Sequence, residues 1–277
     1  MTRLLFIGDI VGKPGRELVR RALAPLVAHH RIDLVIANGE NSAAGFGITP
    51  DLADDLFSFG VQVITGGNHS WDKKEIFSYM PAHPRLLRPS NFPDGAPGHG
   101  RVVVTASNGV SVGVINTMGR VFMTALDDPF AAVLADIDAV KADGARIVFV
   151  DFNAEATSEK VAMGWHLDGR VAAVVCTHTH VPTADARVLP QGTAYITDVG
   201  MTGPHDSVIG VERHAVVQRF LTGLPQRFET ARDNPRLNAV IVTADDTTGR
   251  ATAIERIGLS DDDVEALVAR PVDAVPR

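Results

Sequence analysis

Residues 1–41 read MTRLLFIGDIVGKPGRELVRRALAPLVAHHRIDLVIANGEN. An apolar run, Leu4 to Ile7, stops at Gly8-Asp9. A helical pattern from Pro14 to His29 follows, with proline where the first turn of a helix tolerates it. A second apolar run, Leu34 to Ile36, then stops shortly before Glu40-Asn41. Strand, helix and strand in that order make a β–α–β unit, because parallel strands need a crossover long enough to hold a helix.

The same alternation continues downstream. Val61 to Ile64, Ile147 to Val150 and Val171 to Val175 read as further buried strands. Thr49-Pro50 caps a segment with Leu52, Leu56 and Phe59 on one face, and Phe130, Val133, Leu134, Ile137 and Val140 form another apolar stripe. Val102 to Thr105 and Val112 to Ile115 are joined through Asn108-Gly109, a dipeptide suited to a tight hairpin turn. Tyr195 to Thr197, Ala215 to Phe220, Ala239 to Thr243 and Ala251 to Glu255 read as late strands. So many strands point to an α/β fold with two stacked sheets flanked by helices. One domain over residues 1–269 is expected, with residues 81–100 as a lid or substrate loop and 270–277 as a tail.

Composition narrows the function classes. The 277 residues carry a formal charge of −7 without long runs of one sign, so no basic footprint recommends duplex nucleic acid as a partner. No apolar stretch approaches the roughly 20 residues of a membrane helix, and the short first run is no signal-peptide core. The one cysteine, Cys176, excludes an internal disulfide and suits a reducing cytoplasm. The acidic composition permits a homo-oligomer.

Polar residues of metal-ligand type fall just past the C-terminal ends of successive expected strands: Asp9, then Glu40 and Asn41, Asn68 with His69, Asn153, and finally His178 and His180. That edge of an α/β sheet is where ligands bind. Singly, such residues read as helix caps or structural histidines. Together they form a mixed nitrogen and oxygen set suited to divalent Mn, Fe, Zn or Mg. A carboxylate bridging two cations about 3.5 to 4 Å apart serves in-line phosphoryl displacement, which makes a small phosphoester the expected substrate. Competing motifs fail: Gly8 to Lys13 lacks phosphate-loop spacing, and neither HExxH nor GxSxG occurs.

This order of residues resembles the calcineurin-like metallophosphoesterases. More closely, NGEN (38–41), GGNHSWD (66–72), INTMGR (115–120), VDFNAEATSEK (150–160), THTHVPTAD (177–185) and TDVGMTG (197–203) are similar to the YmdB branch of that superfamily. The resemblance runs from about Leu4 to about Glu255. It implies a four-layer α/β/β/α sandwich and a dinuclear phosphodiesterase acting on 2′,3′-cyclic nucleotides through a metal-bridging hydroxide. By the same resemblance Asp9, Asn41 and His180 hold one metal, Asn68, Asn153 and His178 the second, and Glu40 bridges. His69 is the general acid, with Asp72 orienting it or capping the following helix.

The chain departs from the superfamily at Val11, where a histidine is usual, and at Glu40, where an aspartate is usual. It departs from the YmdB branch at Asn153, where VDFHAE is expected. Asn153 reads either as a weaker oxygen ligand or as the cap of a helix over Ala154 to Trp165. A phosphomonoesterase on the same site and a catalytically weak metal- or nucleotide-binding regulator are the alternative functions. Arg120 reads as a phosphate contact or a surface arginine. The Asp198–Gly203 loop reads as part of the substrate mouth, as a carboxylate serving an imidazole, or as a plain turn.

Overall fold

The structure, a computed structural model, describes residues 1–270. The expected tail therefore lies, beyond Arg270, outside the described residues. The chain opens with β1 (Thr2–Ile7), α1 (Gly12–His30), β2 (Leu34–Asn38), α2 (Pro50–Ser58), β3 (Val63–Thr65) and the short α3 (Ile76–Tyr79). It continues through β4 (Arg101–Thr105), β5 (Ser111–Met118), α4 (Pro129–Ala142), β6 (Ile147–Asn153), α5 (Thr157–His166) and β7 (Ala173–Thr177). Then come β8 (Arg187–Val188), β9 (Ala194–Ile196), β10 (Gly203–Pro204), α6 (Arg213–Thr222), β11 (Pro235–Ala244), β12 (Ala251–Ser260) and α7 (Asp261–Ala269).

These strands make two mixed sheets, one ordered β10-β11-β1-β2-β3 with β12 also paired to β11, the other β4-β5-β6-β7-β9-β8. Period-2 alternation sorts their side chains into layers. Leu4 and Phe6 of β1 face Phe149 of β6 and Val175 of β7 across the sandwich, where the Phe6 and Phe149 rings stack with centroids 5.5 Å apart. Leu5 and Ile7 face the other way, against Leu18, Val19 and Leu23 of α1 and Val264 of α7. On the far side Val148 and Val150 of β6 pack on Val133 and Ile137 of α4 and Met163 of α5. Three apolar layers between four layers of structure give the expected α/β/β/α sandwich. Each fully buried Leu or Phe contributes about 1.5–3 kcal/mol to it.

Helix ends follow local chemistry. Thr49 accepts from the Leu52 N–H to start α2, and Asp128 accepts from Phe130 to start α4. The segment 81–100 is packed through Leu86 and Leu87, each bridged to a neighbour, Ile64 and His99 respectively.

One expected strand is a helix. Ala215 to Phe220 lies within α6, which Glu212 caps at one end and Gly223, with φ of 69°, terminates at the other. The β-branched Val216-Val217 pair suggested a strand, yet no sheet edge receives it. Only Val216 is buried, while Val217 and Phe220 remain exposed.

Candidate metal centre

Strands β1, β2 and β3 of one sheet run parallel to one another, as do β5, β6, β7 and β9 of the other, so within each set the C-terminal ends share one rim. All the expected site residues lie there, directly after β1, β2, β3 and β7 or, for Asn153, at the end of β6. The approach is close enough to demand glycine: a Cβ at Gly67 would lie 2.4 Å from Asn153 Cγ, and one at Gly8 would lie 1.9 Å from the Gly200 carbonyl oxygen.

Asp9, Asn41 and His180 form one cluster. Asn41 Nδ2 lies 3.5 Å from Asp9 Oδ1 and 3.2 Å from His180 Nε2, which itself lies 3.6 Å from Asp9 Oδ1. His180 Nδ1 is 2.8 Å from the Ile209 carbonyl oxygen, an acceptor that assigns the ring proton to Nδ1 and makes Nε2, beside Asn41 Nδ2, the ring's lone-pair nitrogen.

Glu40 centres a second cluster. Its Oε1 accepts from Asn153 Nδ2 at 2.6 Å and its Oε2 from the His69 backbone N–H at 2.9 Å. Asn68 Oδ1 and Asn153 Oδ1 are buried with no partner. Such orphaned acceptors are costly unless a cation or donor meets them. His178 Nε2 lies 3.2 Å from Glu155 Oε2, while its backbone N–H donates to Asp9 Oδ2 at 3.4 Å.

Electrostatics favour a cation. Burial pushes the Asp9 carboxyl above its ordinary range, and burial together with the Asp9 charge pushes Glu40 up to about 8. Burial, reinforced by Lys160 and His180, pushes His178 down to about 4, so its imidazole is neutral and competent as a ligand. Among the described residues no group of three or more His, Cys, Asp or Glu side chains is by itself disposed for a metal. Three carboxamides, Asn41, Asn68 and Asn153, intervene here, and the two orphaned oxygens belong to them. Carboxylates, carboxamide oxygens and neutral imidazoles fit hard to borderline divalent ions.

Beyond the ligand types, the general-acid candidate is also oriented. His69 Nδ1 lies 2.7 Å from Asp72 Oδ2, and the Phe46 ring meets the His69 ring edge-on with centroids 5.1 Å apart.

A sequence profile described as YmdB-like protein matches residues 5–257. The chain belongs to the YmdB-like family. It is 50% identical over 260 residues to a 2′,3′-cyclic-nucleotide 2′-phosphodiesterase of Bacillus subtilis, covering 94% of this chain and 98% of that protein. Among solved structures, a hypothetical protein from Thermus thermophilus superposes with a TM-score of 0.87 at 43% identity, covering 94% of this chain and 99% of that one. A novel phosphatase of Mycoplasma pneumoniae superposes with the same TM-score, 0.87, at 34% identity, covering 98% of this chain and 97% of that one.

The structure narrows several alternatives that the sequence of this YmdB-like chain leaves open. Asn153 caps nothing: it ends β6, and α5 starts at Thr157 after Ala156, with no side-chain cap. Asp72 caps nothing either, since α3 starts at Ile76 and the carboxylate is taken by His69. Arg120 pairs with Asp128 at 3.3 Å. The Asp198 carboxylate serves the backbone and hydroxyl of Thr179 instead of an imidazole.

The polar floor beneath the YmdB-like centre went unread. Asp151, fully buried between the sheets, accepts from Thr65 at 2.5 Å, Thr177 at 2.9 Å and Asn38 at 3.4 Å, and burial pushes it up to about 7. Its signal was an acidic residue inside a buried strand, two positions before Asn153 and so on the same face. Glu155 at the His178 ring carried no comparable signal.

Proposed function

We propose that this chain is a dinuclear metal-dependent phosphodiesterase that hydrolyses 2′,3′-cyclic nucleotides. The observation that carries the reading is the pair of orphaned buried oxygens on the rim, Asn68 Oδ1 and Asn153 Oδ1, the second on the side chain that donates to the Glu40 carboxyl. Asp9, Asn41 and His180 would hold one ion, Asn68, Asn153 and His178 the other, and Glu40 would bridge. Bound ions supply Lewis acidity to the phosphoryl oxygens and activate water. The substrate class is inferred from the Bacillus subtilis relative, whose name specifies a 2′-phosphodiesterase.

Hydrolysis of that kind adds water across the bond from phosphorus to O2′. The water oxygen ends on phosphorus, O2′ leaves needing a proton, and a 3′-phosphate remains. His69 is placed to supply the proton as an imidazolium: its Nδ1–H is held by Asp72, and the second ring proton, on Nε2, is the one left to donate. The Phe46 edge limits how far that ring can swing. The Glu40 contact to the His69 backbone ties the acid to the centre.

The test is a panel of 2′,3′-cyclic, 3′,5′-cyclic and aryl phosphates assayed with purified protein and several divalent metals. Turnover confined to the 2′,3′-cyclic diester supports the reading. The Mycoplasma pneumoniae relative, described as a novel phosphatase, favours a second one, a phosphomonoesterase on the same site. Faster turnover of monoesters than of any diester would establish that instead.

A further inference from the structure

His178 and His180 have φ of +101° and +67°, the left-handed region that side chains with a Cβ rarely adopt. Two such residues flanking a third, on a segment that carries both imidazoles, persist only where the surroundings enforce them. The enforcing contact is on Thr179. Its N–H and its hydroxyl both donate to the same oxygen, Asp198 Oδ2, at 3.1 and 2.7 Å. Asp198 is itself immobilised: Oδ1 accepts from the Gly200 N–H at 2.8 Å, and its own N–H donates to Thr183 Oγ1 at 2.9 Å.

The charge on Asp198 has a dedicated partner. Lys160 Nζ, from the first half of α5, lies 2.7 Å from Asp198 Oδ2, and each side chain is only 1% exposed. A buried ion pair is weak evidence for stability, because desolvating both charges offsets much of their attraction. Its location says more. The same oxygen that meets Lys160 receives both donors of Thr179, so the lysine, the carboxylate and the strained turn form one rigid unit at the end of β7.

We propose that Lys160 and Asp198 are positioning residues for the two imidazoles. Lys160 fixes the carboxylate, the carboxylate clamps Thr179, and the clamp holds His178 and His180 in the backbone conformation that sets their separation. This role rests on reading both histidines as metal ligands. Partners behind a ligand commonly govern metal affinity by about 10- to 100-fold, which sets the expected size of the effect.

The experiment titrates Mn²⁺ calorimetrically into the metal-free, full-length protein, with circular dichroism and the thermal midpoint of the same metal-free samples recorded alongside. Thr179→Val removes the hydroxyl at nearly constant volume and keeps the N–H bond, whereas Thr179→Ser retains both. Thr179→Val should weaken Mn²⁺ binding about 10- to 100-fold with an unchanged fold, and Thr179→Ser should bind within a few-fold of the wild type. Lys160→Met should weaken binding in the same direction; were it not to fold, the Thr179 pair still decides. Wild-type affinity in Thr179→Val, or an equal loss in Thr179→Ser, would overturn the positioning role while leaving the metal centre standing. A wild-type protein that takes up no Mn²⁺ would overturn the metal reading itself, and this role with it.

Discussion

The Asn153 carboxamide donates to Glu40 Oε1 at 2.6 Å while its own oxygen, buried, meets nothing. One side chain therefore steadies the expected bridging carboxylate with its nitrogen and, in the proposed centre, would offer its oxygen to a cation. An imidazole at this position would offer a borderline nitrogen donor instead.

Exchanging Asn153→His should accordingly tighten one ion by about 10-fold or more and shift preference toward Fe or Zn. The metal-free variant should be less stable by about 1–3 kcal/mol, because Gly67 already crowds Asn153 and a larger ring overpacks the spot. Competition against a chelator measures the first and denaturant unfolding the second. Identical affinity for both ions in the two proteins would remove Asn153 from the ligand set.

Metal removal should abolish turnover, and Mn²⁺ or another first-row ion should restore it. Because the ions bind the folded chain, saturation to about 100 times Kd should add about 2.7 kcal/mol of stability per site, visible as a rise in thermal midpoint. Full activity in protein shown by elemental analysis to be metal-free would exclude a metal mechanism.

Glu40→Gln should lower occupancy at both sites together. The carboxyl lies between the Asn153 amide and the His69 backbone, and the uncharged replacement cannot bridge two cations. Elemental analysis finding both ions at wild-type occupancy would refute the bridge and leave the fold untouched.

His69→Ala should keep its metals and lose about 10²- to 10⁴-fold in rate on substrates with poor leaving groups, but far less on activated aryl esters. Asp72→Asn should show a smaller loss of the same pattern, since it alters only what holds Nδ1. Equal losses on both classes of ester would argue against proton donation by His69.

Much of the rim was legible from the chain alone, because its signals are local. A buried strand declares itself by a short apolar run, and a polar residue of metal-ligand type just past its end marks where the strand delivers a side chain. Asp9, Glu40, Asn41, Asn68, His69, Asn153, His178 and His180 were placed on the sheet edge in that way, and the structure carries all of them to the same rim. What each side chain meets there could not be read. Asp151 gains its partners from β2, β3 and β7, and Lys160 meets Asp198 across 38 residues of sequence. Hydrogen bonds and ion pairs between such distant positions leave no periodicity behind. The same holds for α6, where β-branched residues favour a strand locally, but a strand needs an open sheet edge and none reaches it. Local chemistry decided which residues arrive at the rim; the stacking of the two sheets decided which atoms face one another, since only that packing sets distances between segments remote in the chain.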